Sequence, residues 1–270
     1  MSALIRNVVF AGIAAAVVAS ADNSVRAAEV LPFQEVACPG VYKQHLQGAC
    51  RDDEGNLFWC FTSQLVKTDA AGKIVRQVPV ADHHGDLCYH DGKVVVAVNL
   101  GKFNRPAGEA VSLVYVYDAD DLDLLAKHPV DELVHGAGGM AEHDGRFYIV
   151  GGLPSGAVEN YVYEYEFRKT FRFIRRHTLG GGYTLMGIQT IAFADGGWWF
   201  GCYGDPKILL TAAADFSDVR RFEQDASLGL VPLGKGKFLV ARGTSKKGIG
   251  CTARLVPANG NLEHGLELKP

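Results

Sequence analysis

The sequence predicts an all-β fold, a five-bladed β-propeller of four-stranded antiparallel blades. Three observations predict it. A unit of short strand, tight Gly turn and apolar second strand occurs five times along the chain, and repeats of this length mark stacked or radial architectures. Runs of β-branched and aromatic residues alternate with polar Gly/Asp turns from about residue 40 onward. No stretch of about ten residues shows a convincing helical period.

The five copies begin at Gln47 (QGACRDDEGNLFWCF), His84 (HGDLCYHDGKVVVAV), Ala137 (AGGMAEHDGRFYIVG), Gln189 (QTIAFADGGWWFGCY) and Leu228 (LGLVPLGKGKFLVAR). A turn glycine falls eight residues after each start, at Gly55, Gly92, Gly145, Gly197 and Gly236; in blade four Gly196 is an alternative. Four copies have Gly at the second position (Gly48, Gly85, Gly138, Gly229), where blade four has Thr190. Third and fourth strands follow most copies, as in SLVYVYD then LLAKHPV, or NYVYEYE then FRFIRRHTL. In the NYVYEYE strand, Glu164 and Glu166 are expected on the solvent face. Of the adjacent Trp198 and Trp199, at least one is expected in the core. The starts lie 37, 53, 52 and 39 residues apart, the spacing of propeller blades. The outer strand of the last blade comes either from the C-terminal LEHGLEL or from the N-terminal PFQEVAC. A Cys38–Cys251 disulfide would suit the second route, although sequence alone does not pair cysteines.

Residues 1–28 read as a signal peptide, with Arg6, an apolar run from Val8 to Val18, and small-residue cleavage sites near residue 21 or residues 27–28. The run is too short to span a bilayer. Residues 29–270 then form one propeller domain, expected in the periplasm or secreted, with no stable membrane insertion after cleavage. The formal net charge of −3 over 270 residues gives no basis for nucleic-acid binding. The six cysteines include no CxxC pair, which excludes a zinc ribbon.

In a propeller the first strand of each blade lines the central channel. Residues just before it, from different blades, converge at one mouth. This places His45, His84, His135 and Gln189 around one axial point, with Gln47 and His83 nearby. Imidazoles and an amide suit a divalent metal such as zinc or manganese. Three protein ligands and an open position would give it a catalytic role. His84 and His135 are thus expected as catalytic residues, as is Tyr183 acting as an acid or base. His90 and His143 lie at the inner turns and are expected as solvated residues on the opposite face.

Loops between second and third strands return to the histidine face, where binding residues commonly sit. Asn99, Arg105, Asn160, Tyr203, Lys207 and Arg242 are expected to contact substrate. The basic residues favour a small-molecule or glycan ligand that is anionic, although solvated loop charges explain them equally well. No GxSxG, Walker loop, HExxH or CxxCH motif is present.

The arrangement resembles small extracytoplasmic propellers of the gluconolactonase-like and NHL types. The QGACRDDEGNLFWCF stretch resembles the opening blade of propeller-type glutaminyl cyclotransferases over roughly one blade, with Leu46-Gln47-Gly48-Ala49 matching their start in part. The set His45, His84, His135 and Gln189 is similar in composition to the three-histidine, one-glutamine metal site of oligogalacturonate lyases, which are larger propellers. The resemblances imply an exported metal-dependent lyase or hydrolase acting on a carbohydrate or polyhydroxy acid. The alternative is a non-catalytic propeller that binds a sugar, peptide or protein at the same mouth.

Overall fold

In four of the five blades the inner turn is a dipeptide that only a left-handed backbone can fill. Asp91-Gly92, Asp144-Gly145, Asp195-Gly196 and Lys235-Gly236 have positive φ at both positions, the signature of a two-residue hairpin turn matched to strand twist. Gly196, not Gly197, is therefore the turn glycine of blade four. Blade one has a longer turn, in which the Asp52 carboxylate accepts hydrogen bonds from the backbone N–H groups of Glu54 and Asn56 at 3.0 and 2.8 Å.

The computed structural model describes residues 32–269; the signal-peptide segment lies outside them. No helix among the described residues is long and apolar enough to cross a membrane. Each blade is an antiparallel sheet, and in blades one to four the strands run outward in chain order. Blade one holds β2 (Leu46–Arg51), β3 (Leu57–Phe61), β4 (Gln64–Thr68) and β5 (Ile74–Pro79). Blade two holds β6 (His84–His90), β7 (Lys93–Asn99), β8 (Ser112–Asp118) and β9 (Leu124–Pro129). Blade three holds β10 (Ala137–His143), β11 (Arg146–Gly151), β12 (Asn160–Phe167) and β13 (Phe171–Leu179). Blade four holds β14 (Leu185–Ala194), β15 (Gly197–Tyr203), β16 (Ile208–Ala213) and β17 (Arg220–Phe222). Blade five holds β18 (Leu230–Gly234), β19 (Lys237–Lys246) and β20 (Gly250–Asn261).

Both termini complete blade five. β1 (Val36–Tyr42) pairs with β20 between Cys251 and Leu255, and β21 (Gly265–Leu268) pairs with it between Ala258 and Asn261. The ring thus closes non-covalently, and the two expected routes operate together. The expected Cys38–Cys251 disulfide is not formed: both thiols are free, Cys38 sits opposite Ala253, and Tyr42 takes the place opposite Cys251. The Cys38 sulfur instead lies 3.3 Å from the Tyr42 hydroxyl, and burial pushes its pKa up to about 11.

Five apolar clusters hold the molecule together, one at each blade-to-blade interface. Alternation along the strands supplies them. On β15, Trp198 packs toward blade three and Trp199 toward blade five, so both tryptophans are core residues. Each buried side chain of this size contributes about 2–3 kcal/mol through burial. Their indole N–H groups donate to the carbonyls of Ala214 and Ala194. Glu164 departs from expectation. It is only 4% exposed, and its carboxylate accepts from Arg175 at 2.7 Å and contacts His177 at 2.9 Å. Glu166 lies nearer solvent and pairs with Arg168 and Arg172.

The second-position glycines are explained at the axis, where inner strands of neighbouring blades nearly touch. A Cβ on Gly48 would sit 2.5 Å from the Asp86 Cα, and one on Gly85 would sit 2.2 Å from the Gly138 carbonyl oxygen. No side chain fits there.

Candidate functional site

The inner strands of blades one to four each start with a β-bulge. In blade one Leu46 pairs with Phe61 and Gly48 with Cys60, leaving Gln47 as the extra residue. A bulge re-aims the side chain it carries. Gln47 therefore turns into the mouth while remaining 6% exposed. The same backbone contacts fix the register of the histidines. The His45 carbonyl accepts from Thr62 N–H and the His83 carbonyl from Asn99 N–H, each at the end of the second strand. His83, not His84, is thus the blade-two counterpart of His45.

These residues meet. The Gln47 amide nitrogen lies 3.0 Å from His45 Nε2, 3.1 Å from His83 Nε2 and 3.0 Å from Thr62 Oγ1. An amide has two protons for these three neighbours. Turned over, it presents its oxygen to the two imidazoles instead. The Tyr203 hydroxyl, from the end of β15, is 3.5 Å from His45 Nε2, and the Lys207 ammonium lies 4.4 Å from the centre of the Tyr203 ring. Desolvation lowers the pKa of both histidines, and His83 and Lys207 lower His45 further. Both imidazoles are neutral near pH 7, the form that accepts a proton or ligates a metal. Burial raises the pKa of Tyr203, with a further push from Asp225, so its hydroxyl stays protonated. Asp225 also neighbours Arg242, whose guanidinium donates to the Asp225 and Ala241 carbonyls at 3.0 and 2.9 Å.

The structure corrects the expected ligand set. His84 is fully buried, and both its ring nitrogens are engaged, Nδ1 with the Ala81 carbonyl at 2.6 Å and Nε2 with the Tyr117 hydroxyl at 2.7 Å. It packs edge-on against Tyr115 and has no lone pair free for a metal or substrate. Burial lowers its pKa to about 4. His135 is half-buried and donates through Nδ1 to the Arg105 carbonyl at 2.8 Å; this holds a loop, and no hydrogen bond links it to His45 or His83. Gln189 is the bulge residue of blade four, but its amide donates to the Met186 carbonyl. Asn99 and Asn160 are buried loop anchors rather than substrate contacts. Asn99 Oδ1 accepts from the Val111 N–H at 3.0 Å. Asn160 donates to the Gly182 carbonyl and accepts from Thr184 Oγ1 at 2.7 Å. Tyr183 and Arg105 are exposed at loop positions. Of the residues expected from sequence, His45, Tyr203 and Lys207 come together. Gln47 and His83 complete the group.

Tetrahedral zinc with ligands at about 2.0–2.1 Å places those ligands about 3.3–3.4 Å apart. The separations of 3.0 and 3.1 Å between Gln47 and the two imidazoles require only small outward movements to reach this. Among the described residues no group of three His, Cys, Asp or Glu side chains is placed to hold a metal. A metal bound between His45 and His83 would therefore need the Gln47 amide oxygen as its third donor, with the amide turned over from the orientation described.

The opposite face carries a cavity of about 230 Å3, lined by residues of all five inner strands and by Asp52 and Asp53 of the blade-one turn. His90 and His143 lie on that face, as expected. They are not simply solvated: the His90 ring packs edge-on to Phe147, and the His143 ring stacks on Phe193 with centroids 3.5 Å apart.

No family model matches the sequence, and no curated protein matches it significantly. Solved structures do. RS223 β-xylosidase aligns over 88% of this chain and 96% of its own at 11% identity, with a TM-score of 0.56. CoXyl43, a GH43 β-xylosidase/α-arabinofuranosidase from a compost microbial metagenome solved with xylotriose, aligns over 89% and 96% at 10% identity, also with a TM-score of 0.56. At this identity the likeness is one of fold, a five-bladed β-propeller.

Proposed function

We propose that the chain is an exported carbohydrate-active enzyme, a lyase or hydrolase, with its reaction centre at the mouth formed by His45, Gln47, His83 and Tyr203. One observation carries this reading. Two neutral imidazoles and a protonated tyrosine from three blades converge on one accessible point, and the site occurs once rather than repeating in every blade. Propellers of the same fold include enzymes named as β-xylosidases, which is consistent with a glycan substrate.

In this reading His45 Nε2, His83 Nε2 and the Gln47 amide oxygen hold a divalent metal such as zinc or manganese. When bound, the metal would polarise a substrate carboxylate or carbonyl. Lys207 gives the mouth a positive border suited to an anionic sugar, and Arg105 and Tyr183 lie on loops farther out. The Tyr203 hydroxyl is positioned to hand a proton to a leaving oxygen. Lys207 on the ring face favours the tyrosinate that this leaves behind.

The test is turnover of a panel of neutral and uronic-acid oligosaccharides. Ultraviolet absorbance of an unsaturated product reports a lyase, and new reducing ends without that absorbance report a hydrolase. Tyr203→Phe should lower kcat about 100-fold or more, the usual scale for loss of a positioned acid or base, while leaving the fold intact. Equal activity in wild type and Tyr203→Phe, or none on any glycan, contradicts the proposal.

A further inference from the structure

A pocket of about 290 Å3 lies on blade four, outward from Tyr203. Leu185, in its wall, is the backbone partner of Tyr203. Asp205 and Pro206, just beyond Tyr203 in the chain, form another side. Arg221 of β17 and Glu223 at its end close the far side. The strands of blade four run outward from β14 to β17, so the pocket continues radially from the residue that bears the reactive hydroxyl. Its volume is near the lower end of the range for small-molecule sites, about 300–1,000 Å3, which is room for one small ring.

The inner wall is a loop held in place with its apolar side chains in water. Tyr183, Leu185 and Met186 are 40%, 46% and 42% exposed, while Thr184 among them is fully buried. Arg221 Nη1 donates to the Gly181 and Tyr183 carbonyls at 2.8 and 3.0 Å. From the other side Asn160 donates to the Gly182 carbonyl at 3.1 Å and accepts from Thr184 Oγ1 at 2.7 Å. Met186 sits at φ +64°, a left-handed conformation that bulky residues rarely adopt, with its carbonyl tied to Gln189. Ordering a loop costs conformational entropy, and these exposed side chains offset little of it by burial. Apolar groups exposed together on a pinned, strained loop mark a preformed ligand surface.

The lining selects the ligand. Tyr183, Leu185 and Pro206 offer an apolar wall, and Asp205, Arg221 and Glu223 offer hydrogen-bonding groups around it. Arg221 uses only Nη1 on the loop, which leaves Nε and Nη2 to donate. A pyranose has the matching form, with an apolar C–H face and hydroxyls at its edge. Two carboxylates against one guanidinium favour a neutral ring over a uronate. We propose that this pocket is the subsite for a neutral sugar ring adjoining the one held at the mouth, so that the substrate is an oligosaccharide and not a single sugar. The ligand class rests on the carbohydrate reading of the mouth. The Tyr183 ring carries the C–H face of the sugar and takes no part in proton transfer.

The test is calorimetric titration of the intact Tyr203→Phe protein, which keeps the pocket and should not consume its ligand. The probes are xylotriose, cellotriose and mannotriose, with xylose, glucose and mannose as single-ring controls. At least one trisaccharide should bind at one site, about tenfold or more tighter than its monosaccharide, because the second ring adds its own contacts. Adding Tyr183→Ala should weaken that trisaccharide about tenfold, whereas Tyr183→Phe keeps the ring and should leave affinity unchanged. Glu223→Gln should weaken it about threefold through loss of a charged acceptor. No trisaccharide binding, a trisaccharide bound no more tightly than its monosaccharide, or unchanged affinity in Tyr183→Ala overturns the subsite. Failure of the proposed reaction reads differently. Trisaccharide binding that Tyr183→Ala weakens, in a protein that turns over no glycan, keeps the pocket and removes the enzyme. Turnover with the same KM in wild type and Tyr183→Ala removes the pocket and keeps the enzyme.

Discussion

His84 should make the protein acid-sensitive in a way that can be isolated. Its imidazole is fully buried and satisfied in the neutral form, by the Ala81 carbonyl and the Tyr117 hydroxyl. Its pKa falls from the ordinary 6.5 to about 4, chiefly through desolvation. Above pH 6.5 the residue is neutral in folded and unfolded chains alike, and its full contribution is present. Below that value the unfolded chain takes up a proton that the folded one refuses, so stability is lost as pH falls toward 4. At 1.36 kcal/mol per tenfold change, the loss is about 1.4 kcal/mol by pH 5.5 and about 3 kcal/mol by pH 4. Asp86, whose pKa is raised, acts in the opposite direction and masks part of this in the wild type alone. A comparison with His84→Gln removes that masking. At pH 7 the variant should be about 2–4 kcal/mol less stable, because the Tyr117 hydroxyl and the Ala81 carbonyl lose their partner. Urea unfolding of both proteins at pH 7.5, 5.5 and 4 should show this gap closing by about 3 kcal/mol. Parallel pH profiles would refute the reasoning, because His84 would then titrate equally in both states.

Other outcomes follow from packing and chain closure. Gly48→Ala should lower stability by about 3 kcal/mol or more in thermal unfolding, since its Cβ would fall 2.5 Å from the Asp86 Cα. Gly180→Ala, whose added Cβ would meet nothing nearer than a Val219 methyl at 3.7 Å, should be close to neutral. Asn160→Ala should release the 180–184 loop from its two anchoring hydrogen bonds. The cost should be about 1–3 kcal/mol, with faster limited proteolysis at that loop. Thiol titration of the denatured, unreduced protein should count six thiols, and reductant should leave Tm unchanged; fewer thiols would restore the disulfide.

The blades were legible because their determinants are local. Asp-Gly turns, strand alternation and the second-position glycines each follow from one hairpin's geometry, and together they place every blade. At the blade-four turn Gly196 and Gly197 stand side by side, so the count from sequence leaves both open and only the backbone geometry selects Gly196. The mouth was less legible. Counting from the turn glycines aligned Gln47 with His84, whereas the ladders align His45 with His83. The long Asp52-capped turn of blade one and the bulges at Gln47 and at Gly85–Asp86 break the count. A slip of one residue turns a strand side chain to the other face, which put His84, and not His83, at the expected mouth position. The SLVYVYD strand offered a clue: it puts Tyr117 where a buried histidine needs a hydroxyl. Asn99 and Asn160 read from sequence as ligand contacts because polar residues at strand ends near a mouth serve both purposes. Only the backbone groups around them identify these two as anchors.

The central claim is that His45, His83 and Gln47 form a single reactive centre distinct from the buried His84. Its most direct test is the metal content of the purified protein after incubation with zinc or manganese and removal of excess, in wild type, His83→Ala and His84→Gln. The account predicts near-stoichiometric metal in wild type and in folded His84→Gln, and its loss in His83→Ala. Metal retained by His83→Ala but lost from folded His84→Gln, or no metal in any of the three, would contradict it.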